Sequence, residues 1–381
     1  MIASDFNTMN IIGRNTFAVV NIEKYLKNLE FLNSCTTAKI MPVLKADAYG
    51  HGMQELGKAA LKSGYDMFAV AFLEEALELL SSGILSKVLI FNYFDPKDLK
   101  SVLDYSDYLR PTITSIDFLE KACGILGKDI KKLVFHINVD TGMNRIGIRE
   151  EELSTLIRLI KKHNINVEGI YSHFATADEK DEFVKIQYDK FLNILNYIIN
   201  EGIDIKIRHL ANSAGLLFFP QSSLDYVRPG VATFGMQPSN IIKVEELKPV
   251  MELKSTVAKI NMVKSGESIG YGRTFTTLKS MKTAIVPIGY ADGYFRNLSN
   301  KAYVLINGKK CRILGNISMD QMVVDITEVN TNVGDEVVLI GEQDGVSITC
   351  EELAQKAGTI NYEITSKLTR RVPRIYIRGG N

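Results

Sequence analysis

Cysteine is scarce in this chain: four residues among 381, at positions 35, 123, 311 and 350, with no Cys-x-x-Cys pair. That scatter argues against a disulfide framework and fits a reducing setting. The five histidines (His51, His136, His163, His173 and His209) show neither His-Glu-x-x-His spacing nor pairing with cysteine, so no metal site is expected. Charge of one sign is also lacking. The 45 basic and 44 acidic side chains intermingle to a net charge of +1, without the Lys/Arg stripe that binds nucleic acid. Apolar runs such as residues 67–73 fall far short of the roughly 20 residues that span a bilayer. Residues 1–15 lack a basic start followed by an apolar core, so no secretory leader is expected. These absences together read as a soluble cytoplasmic protein.

What is present is ordinary globular composition, 46% hydrophobic and 23% charged, in a chain too long for most single cores. From about residue 38 to 236, β-rich runs alternate with amphipathic ones. Strands are predicted at 39–44, 67–72, 88–93, 109–114, 133–139, 167–172, 205–210 and 226–233. Helices are predicted between them, for example over 74–81, 115–126, 150–162 and 181–200. Ser115 and the pair Asp95-Pro96 stand as caps. Eight alternating strands suit a closed barrel better than a doubly wound sheet, and no Gly-x-Gly-x-x-Gly turn follows the first of them.

Beyond Pro249 the texture changes to short β-rich runs, with Asn307-Gly308 as a hairpin turn and one helix over 348–357. The predicted fold is α/β: an eight-stranded parallel β/α barrel over residues 1–245, followed by a smaller mainly-β domain over 246–381.

Candidate chemistry clusters where barrel strands end. Lys45 follows an apolar run, an expensive place for an ammonium unless it is paired or neutralised. A desolvated amine is a nucleophile suited to a Schiff base with an aldehyde cofactor, although a lysine snorkelling past a strand end accounts for it equally well. Asp140 to Arg145 follow the fifth strand and His173 ends the sixth. Asn212-Ser213 follow the seventh, and Arg228-Pro229-Gly230 lie on the eighth. Asn212-Ser213 serve as a helix cap, and a helix N-terminus there with Gly230 suits a phosphate. Taken singly, His173 reads as a core histidine and Arg145 as a solvent-facing arginine. In the second domain, Tyr271 stands between Gly270 and Gly272 in a loop, which favours presentation over packing. Tyr290 and Met319 sit in loops of the same character.

Nine segments, VLKADAYGHG, DTGMNRIG, SHFATAD, LANSAG, VRPG, GYGRTF, GYADGY, SMDQ and RVPR, together resemble the alanine racemase family in the family's order. The resemblance runs from about residue 16 to 376. It implies a pyridoxal-phosphate enzyme that interconverts L- and D-alanine and supplies D-alanine for peptidoglycan. Lys45 would carry the cofactor and act as the base on the D-side, with Tyr271 as the base on the L-side. Arg145 would hold the cofactor's phenolic oxygen and the substrate carboxylate, near Met319 and Tyr290. Tyr49, Asn212, Ser213, Gly230, Val231 and Tyr362 would contact the cofactor, chiefly its phosphate. Arg228 would face the pyridine nitrogen, with His173 linking it toward Tyr271. A head-to-tail homodimer is implied, in which Tyr271 and Met319 complete the partner's site.

The chain departs from the family at Asn138, where many members carry a carbamylated lysine, and at Asn316, where many carry an arginine. An anion such as chloride is expected to substitute at the first. Other readings are a broader racemase accepting serine, which the tyrosine at Tyr362 disfavours, and a decarboxylase on a related barrel, which Arg228-Pro229-Gly230 disfavours. A lone-barrel cofactor carrier would lack the domain that holds Tyr271.

Overall fold

The computed structural model describes residues 13–379, so most of the stretch read for a leader lies outside the described residues. The chain forms two compact units, one of residues Lys24–Lys248 and one joining residues 13–23 to residues 249–379. The first strand, β1 (Phe17–Asn21), belongs to the second unit: it pairs antiparallel with β10 (Met251–Thr256) and parallel with a late strand, Arg374–Ile377. The two units therefore divide the chain at Lys24 and again between Lys248 and Pro249. A single short apolar run, Phe-Ala-Val-Val-Asn, carries no sign of which distant strand it will pair with.

The first unit is the expected parallel barrel. Its strands are β2 (Lys39–Ile40), β3 (Met67–Val70), β4 (Lys87–Ile90), β5 (Leu109–Ile113), β6 (Val134–Asn138), β7 (Asn166–Tyr171), β8 (Ile207–Asn212) and β9 (Tyr226–Arg228). They lie in the order β2-β9-β8-β7-β6-β5-β4-β3, and a parallel bridge between Val43 and Ala69 closes the ring. The regular part of β2 is shorter than the predicted 39–44 because Pro42 has no N–H for the ladder. The backbone nevertheless continues along the barrel, with Met41 N–H donating to Val227 and Val43 N–H to Pro229.

Helices form where amphipathic patterning and caps coincide. Ser115 Oγ accepts from Phe118 N–H at the start of Ile116–Leu126, and Asp95 Oδ1 accepts from Lys97 N–H. The barrel interior is packed by Met41, Val43, Met67, Ala69, Leu89, Tyr171, Ile207 and Tyr226. Two fully buried histidines, His136 and His209, join them.

The second unit is a mainly-β sheet, as expected. After β10 come β11 (Lys259–Val263), β12 (Ser268–Ile269), β13 (Phe275–Thr276), β14 (Met281–Val286), β15 (Tyr303–Ile306), β16 (Lys309–Leu314), β17 (Met322–Asp325), β18 (Glu336–Gln343), β19 (Val346–Ile348) and β20 (Arg374–Ile377). Its main sheet runs β11-β14-β17-β16-β15-β18-β10-β1-β20. Asn307 and Gly308 both take positive φ and join β15 to β16, the hairpin read from the sequence. No helix among the described residues is long and apolar enough to cross a membrane, and all four cysteines are free thiols.

Candidate active site on the barrel mouth

Lys45 begins at the carboxyl end of β2, where the chain makes an unusual turn. Ala46, Asp47, Ala48 and Tyr49 all adopt left-handed φ between 52° and 55°. Left-handed backbone is costly for residues with a Cβ, so the turn needs support. Glu75 supplies some of it: Oε1 accepts from Ala46 N–H at 2.7 Å, while Oε2 accepts from Ala71 and Phe72 N–H. His51 supplies more, its Nδ1 lying 3.0 Å from the Ala48 carbonyl and 3.1 Å from that of Tyr49. Two carbonyl acceptors require that Nδ1 carry the proton.

The amine of Lys45 lies 5.9 Å from the centre of the Tyr49 ring. Burial and then the Arg145 guanidinium lower its pKa, with Glu75 opposing them. This is the condition that makes an amine nucleophilic.

Tyr49 packs on Phe234, with ring centres 5.1 Å apart, and its hydroxyl reaches Gly230. A Cβ on Gly230 would lie 2.5 Å from Tyr49 Oη, so a larger residue there would displace the tyrosine. Ser213 Oγ accepts from the backbone N–H of Gly230 (3.0 Å) and Ala232 (3.3 Å), leaving its own proton to donate. Asn212 caps the helix Ser213–Phe218 by accepting from Gly215 N–H. Val231 is buried at the start of the next turn.

Arg228 is buried at the end of β9. Its Nη1 donates to His209 Nδ1 at 2.8 Å, and its Nη2 donates to the carbonyls of Ser172 (2.7 Å) and Leu210 (3.1 Å). Of the five N–H groups of a guanidinium, the Nε proton and one on Nη1 remain without a protein acceptor among the described residues. The guanidinium carbon also lies 5.1 Å from the Tyr171 ring centre. Burial pulls the Arg228 pKa down to about 10, so the group stays cationic at neutral pH.

The histidine hydrogen-bonded to Arg228 is His209; no hydrogen bond joins His173 to Arg228 among the described residues. His173 shares the neighbourhood electrostatically. Burial, then Arg228, Arg145 and Lys45, push its pKa well below the usual value.

Arg145 is exposed on the loop after β6 and lines a cavity of about 580 Å³ with Tyr93, Thr114 and Arg149. Asp140 Oδ1 shapes that loop by accepting from Gly142 and Asn144 N–H, and the Asn138 amide lies 3.5 Å from the Ile146 carbonyl. Buried Gln187 ties the loops after β6 and β7 together. It donates to Thr141 Oγ1 and the His173 carbonyl and accepts from Ala175 N–H. Lys45, Tyr49, Arg145, His173, Asn212, Ser213, Arg228, Gly230 and Val231 thus gather where barrel strands end, the usual place for a barrel active site.

The other expected residues lie in the second unit. Tyr271 is 72% exposed in the loop between β12 and β13, and its carbonyl accepts from the Asn316 side chain at 2.8 Å. Tyr290 and Met319 sit on adjoining loops: Tyr290 N–H donates to Ser318, and Ala291 N–H donates to Met319. Buried Asp292 holds these loops by accepting from Gly289 N–H and pairing with Arg14 and Arg371; Arg371 also reaches Asp320. Tyr362 lies in the first turn of the helix Asn361–Ser366.

His209, Glu75, Gln187 and the Arg14–Asp292 pair escaped the sequence reading, each acting through a partner far away in the chain. No group of His, Cys, Asp and Glu arranged to hold a metal ion occurs among the described residues.

Known proteins resemble both units. Residues 20–238 match the family profile of the alanine racemase N-terminal domain, and residues 250–376 that of the alanine racemase C-terminal domain. An alanine racemase from Carboxydothermus hydrogenoformans is 42% identical over 369 residues, covering 96% of this chain and 100% of the relative. One from Methanococcus maripaludis is 39% identical over 378 residues, with coverage of 96% and 100%. The crystal structure of alanine racemase from Bacillus anthracis with bound L-Ala-P superposes with a TM-score of 0.92 at 36% identity, covering 97% of this chain and 96% of that one. Matched in both halves and in the same order, this chain belongs to the alanine racemase family.

Proposed function

We propose that this chain interconverts L-alanine and D-alanine using pyridoxal 5'-phosphate, with Lys45 and Tyr271 as the two bases. The observation that carries the proposal is the convergence of a desolvated amine, a buried arginine with unused donors and a serine–glycine cradle on one barrel mouth. These groups fit the cofactor. Lys45 suits its aldehyde, and the cradle of Tyr49, Ser213, Gly230 and Val231 suits its phosphate. An unused donor of Arg228 suits its ring nitrogen.

Bound pyridoxal phosphate supplies an electron sink that acidifies the α-hydrogen of the amino acid. Arg228 limits that sink, because a guanidinium that remains protonated donates a hydrogen bond without giving up its proton. Arg145 orients the substrate carboxylate, Met319 and Tyr290 are assigned to substrate binding, and the tyrosine at Tyr362 favours alanine over serine. Racemisation requires a base on each face, one removing the α-proton and one returning a proton. Lys45 serves one face. Tyr271 serves the other, presented by a second copy of this chain in a homodimer, which accords with its exposure in a single copy. The product would feed peptidoglycan synthesis in the cytoplasm.

The test follows α-hydrogen exchange from each enantiomer in heavy water, with wild type and Tyr271→Phe. The substitution should slow exchange that starts from L-alanine far more than exchange that starts from D-alanine. Exchange from L-alanine as fast as wild type would end the two-base assignment.

A further inference from the structure

The buried contacts of Arg228 do not end at His209. His209 Nε2 lies 2.9 Å from His136 Nδ1, and His136 Nε2 lies 3.6 Å from Glu168 Oε2 near the amino end of β7. The last distance is an electrostatic approach longer than a hydrogen bond. Chemistry fixes the direction of the chain. An arginine can only donate, so His209 Nδ1 must accept and the proton of His209 sits on Nε2. That proton points at His136 Nδ1, which leaves the His136 proton on Nε2, facing a carboxylate.

Both rings are fully buried, and the fold makes room for them. His209 stacks on Tyr171 at 4.8 Å, while a Cβ on Gly169 would lie 2.5 Å from the His136 ring. Glycine in a strand interior is unfavourable, so its place here accords with the space the imidazole needs. Glu168 is anchored by Lys87 Nζ at 2.6 Å and Arg110 Nε at 2.8 Å, and Arg110 is itself held by the carbonyls of Ser106, Asp107 and Leu109.

We propose that Glu168, at the opposite end of the barrel from the site, is a positioning residue of that site, acting on Arg228 through the one-way chain His209–His136. The carboxylate polarises His136, which makes His209 a better acceptor and holds the guanidinium in one orientation toward the cofactor ring. The inference rests on the function proposed above for Arg228. The charged and titratable groups around the chain are Tyr171, His173, Arg145 and Lys45 near its upper end, and Lys87 and Arg110 at its lower end.

The experiment compares wild type, Glu168→Gln and His136→Phe, which break the chain at different links. Nitrogen-15 NMR of labelled histidines in the holoenzyme reads tautomers directly. Wild type should show His209 and His136 neutral and protonated on Nε2, and Glu168→Gln should mix the His136 tautomers. In both variants kcat should fall on the order of tenfold, as for other outer partners of a charged centre, with KM changing less. The alkaline limb of the rate profile should move to lower pH. Unchanged tautomers and an unchanged profile in Glu168→Gln, in an enzyme that racemises alanine, would overturn the chain. Wild-type protein that fails to racemise would instead overturn the function, whatever its tautomers show. If Glu168→Gln does not fold, His136→Phe with a wild-type rate profile would overturn the chain equally.

Discussion

Lowering the pH should unfold this protein through its buried histidines, and His209 allows the size of the effect to be worked out. Burial, then the nearby Arg228 charge and His136, push its pKa well below the ordinary imidazole value of 6.5. In the unfolded chain it returns to about 6.5. Below that pH the unfolded state binds a proton that the folded state refuses, so stability falls as pH falls and is fully present above about pH 7.5. With ~1.4 kcal/mol per pH unit as the ceiling, His209 alone costs on the order of 1 kcal/mol near pH 6 and no more than about 2 kcal/mol near pH 5. His173, shifted in the same direction by burial and by Arg228, Arg145 and Lys45, adds a cost of the same sign. Glu168 acts in a lower window. Burial alone would raise its pKa, but His136, Lys87 and Arg110 hold it far below the carboxylate range, so its contribution is lost only under stronger acid. The assay is urea unfolding from pH 8 to 5, for wild type and His209→Gln, whose amide can accept from Arg228 and donate to His136. Near pH 5 the slope of stability against pH should be lower in the variant by ~1.4 kcal/mol per unit, the signature of one missing proton. Parallel curves would show that His209 titrates alike in both states and would refute its placement as a neutral acceptor for Arg228.

Gly230→Ala should place a methyl 2.5 Å from Tyr49 Oη and 3.1 Å from its Cζ. Overpacking of this kind costs about 1–3 kcal/mol, so cofactor retention measured by dialysis should weaken roughly tenfold to a hundredfold while the far-ultraviolet spectrum stays unchanged. Asn316→Ala should free the Tyr271 carbonyl from its 2.8 Å hydrogen bond. Hydrogen exchange over residues 270–273 should accelerate, with a stability loss of about 1 kcal/mol or less for an exposed bond; exchange as slow as wild type would show that Asn316 does not hold the loop.

The barrel was legible because its signal is local and repeated. Each strand is a short β-rich run followed by an amphipathic helix, and eight repetitions make the closed parallel sheet the simplest arrangement. The candidate residues of the barrel mouth stood out for a related reason: they follow strand ends, and Lys45 and Arg228 are polar where a strand end is usually apolar. The missing pieces are all nonlocal. β1 pairs with strands more than 200 positions away, so its five residues gave no sign that they leave the barrel domain. His209 and His136 sit 73 positions apart and look like ordinary strand residues until the barrel closes. Gly169 was the one visible hint, a glycine inside a strand that marks a close approach without saying of what. Glu75 resembles any acidic residue in the first turn of a helix, and only the fold shows that it binds the turn after Lys45.

That last contact bears on how Lys45 comes to be placed at all. Left-handed backbone costs about 1–2 kcal/mol for each residue with a Cβ, so Ala46 to Tyr49 together store on the order of 4–8 kcal/mol. Backbone bonds such as Ala48 N–H to Leu44, His51 N–H to Ala48 and Gly52 N–H to Asp47 offset part of this, at about 1 kcal/mol each. Groups outside the turn's backbone add to this support: the Glu75 carboxylate on Ala46 N–H, the His51 ring on two carbonyls, and Phe234 stacked 4.6 Å from that ring. Glu75 belongs to the helix after β3 and Phe234 to the turn after β9, the two strands that flank the lysine's own strand in the closed barrel. The amine is therefore held by barrel closure as well as by its local turn. A fragment ending before β9 would keep the lysine and its motif but lose the Phe234 packing and the β2–β9 pairing that support its geometry.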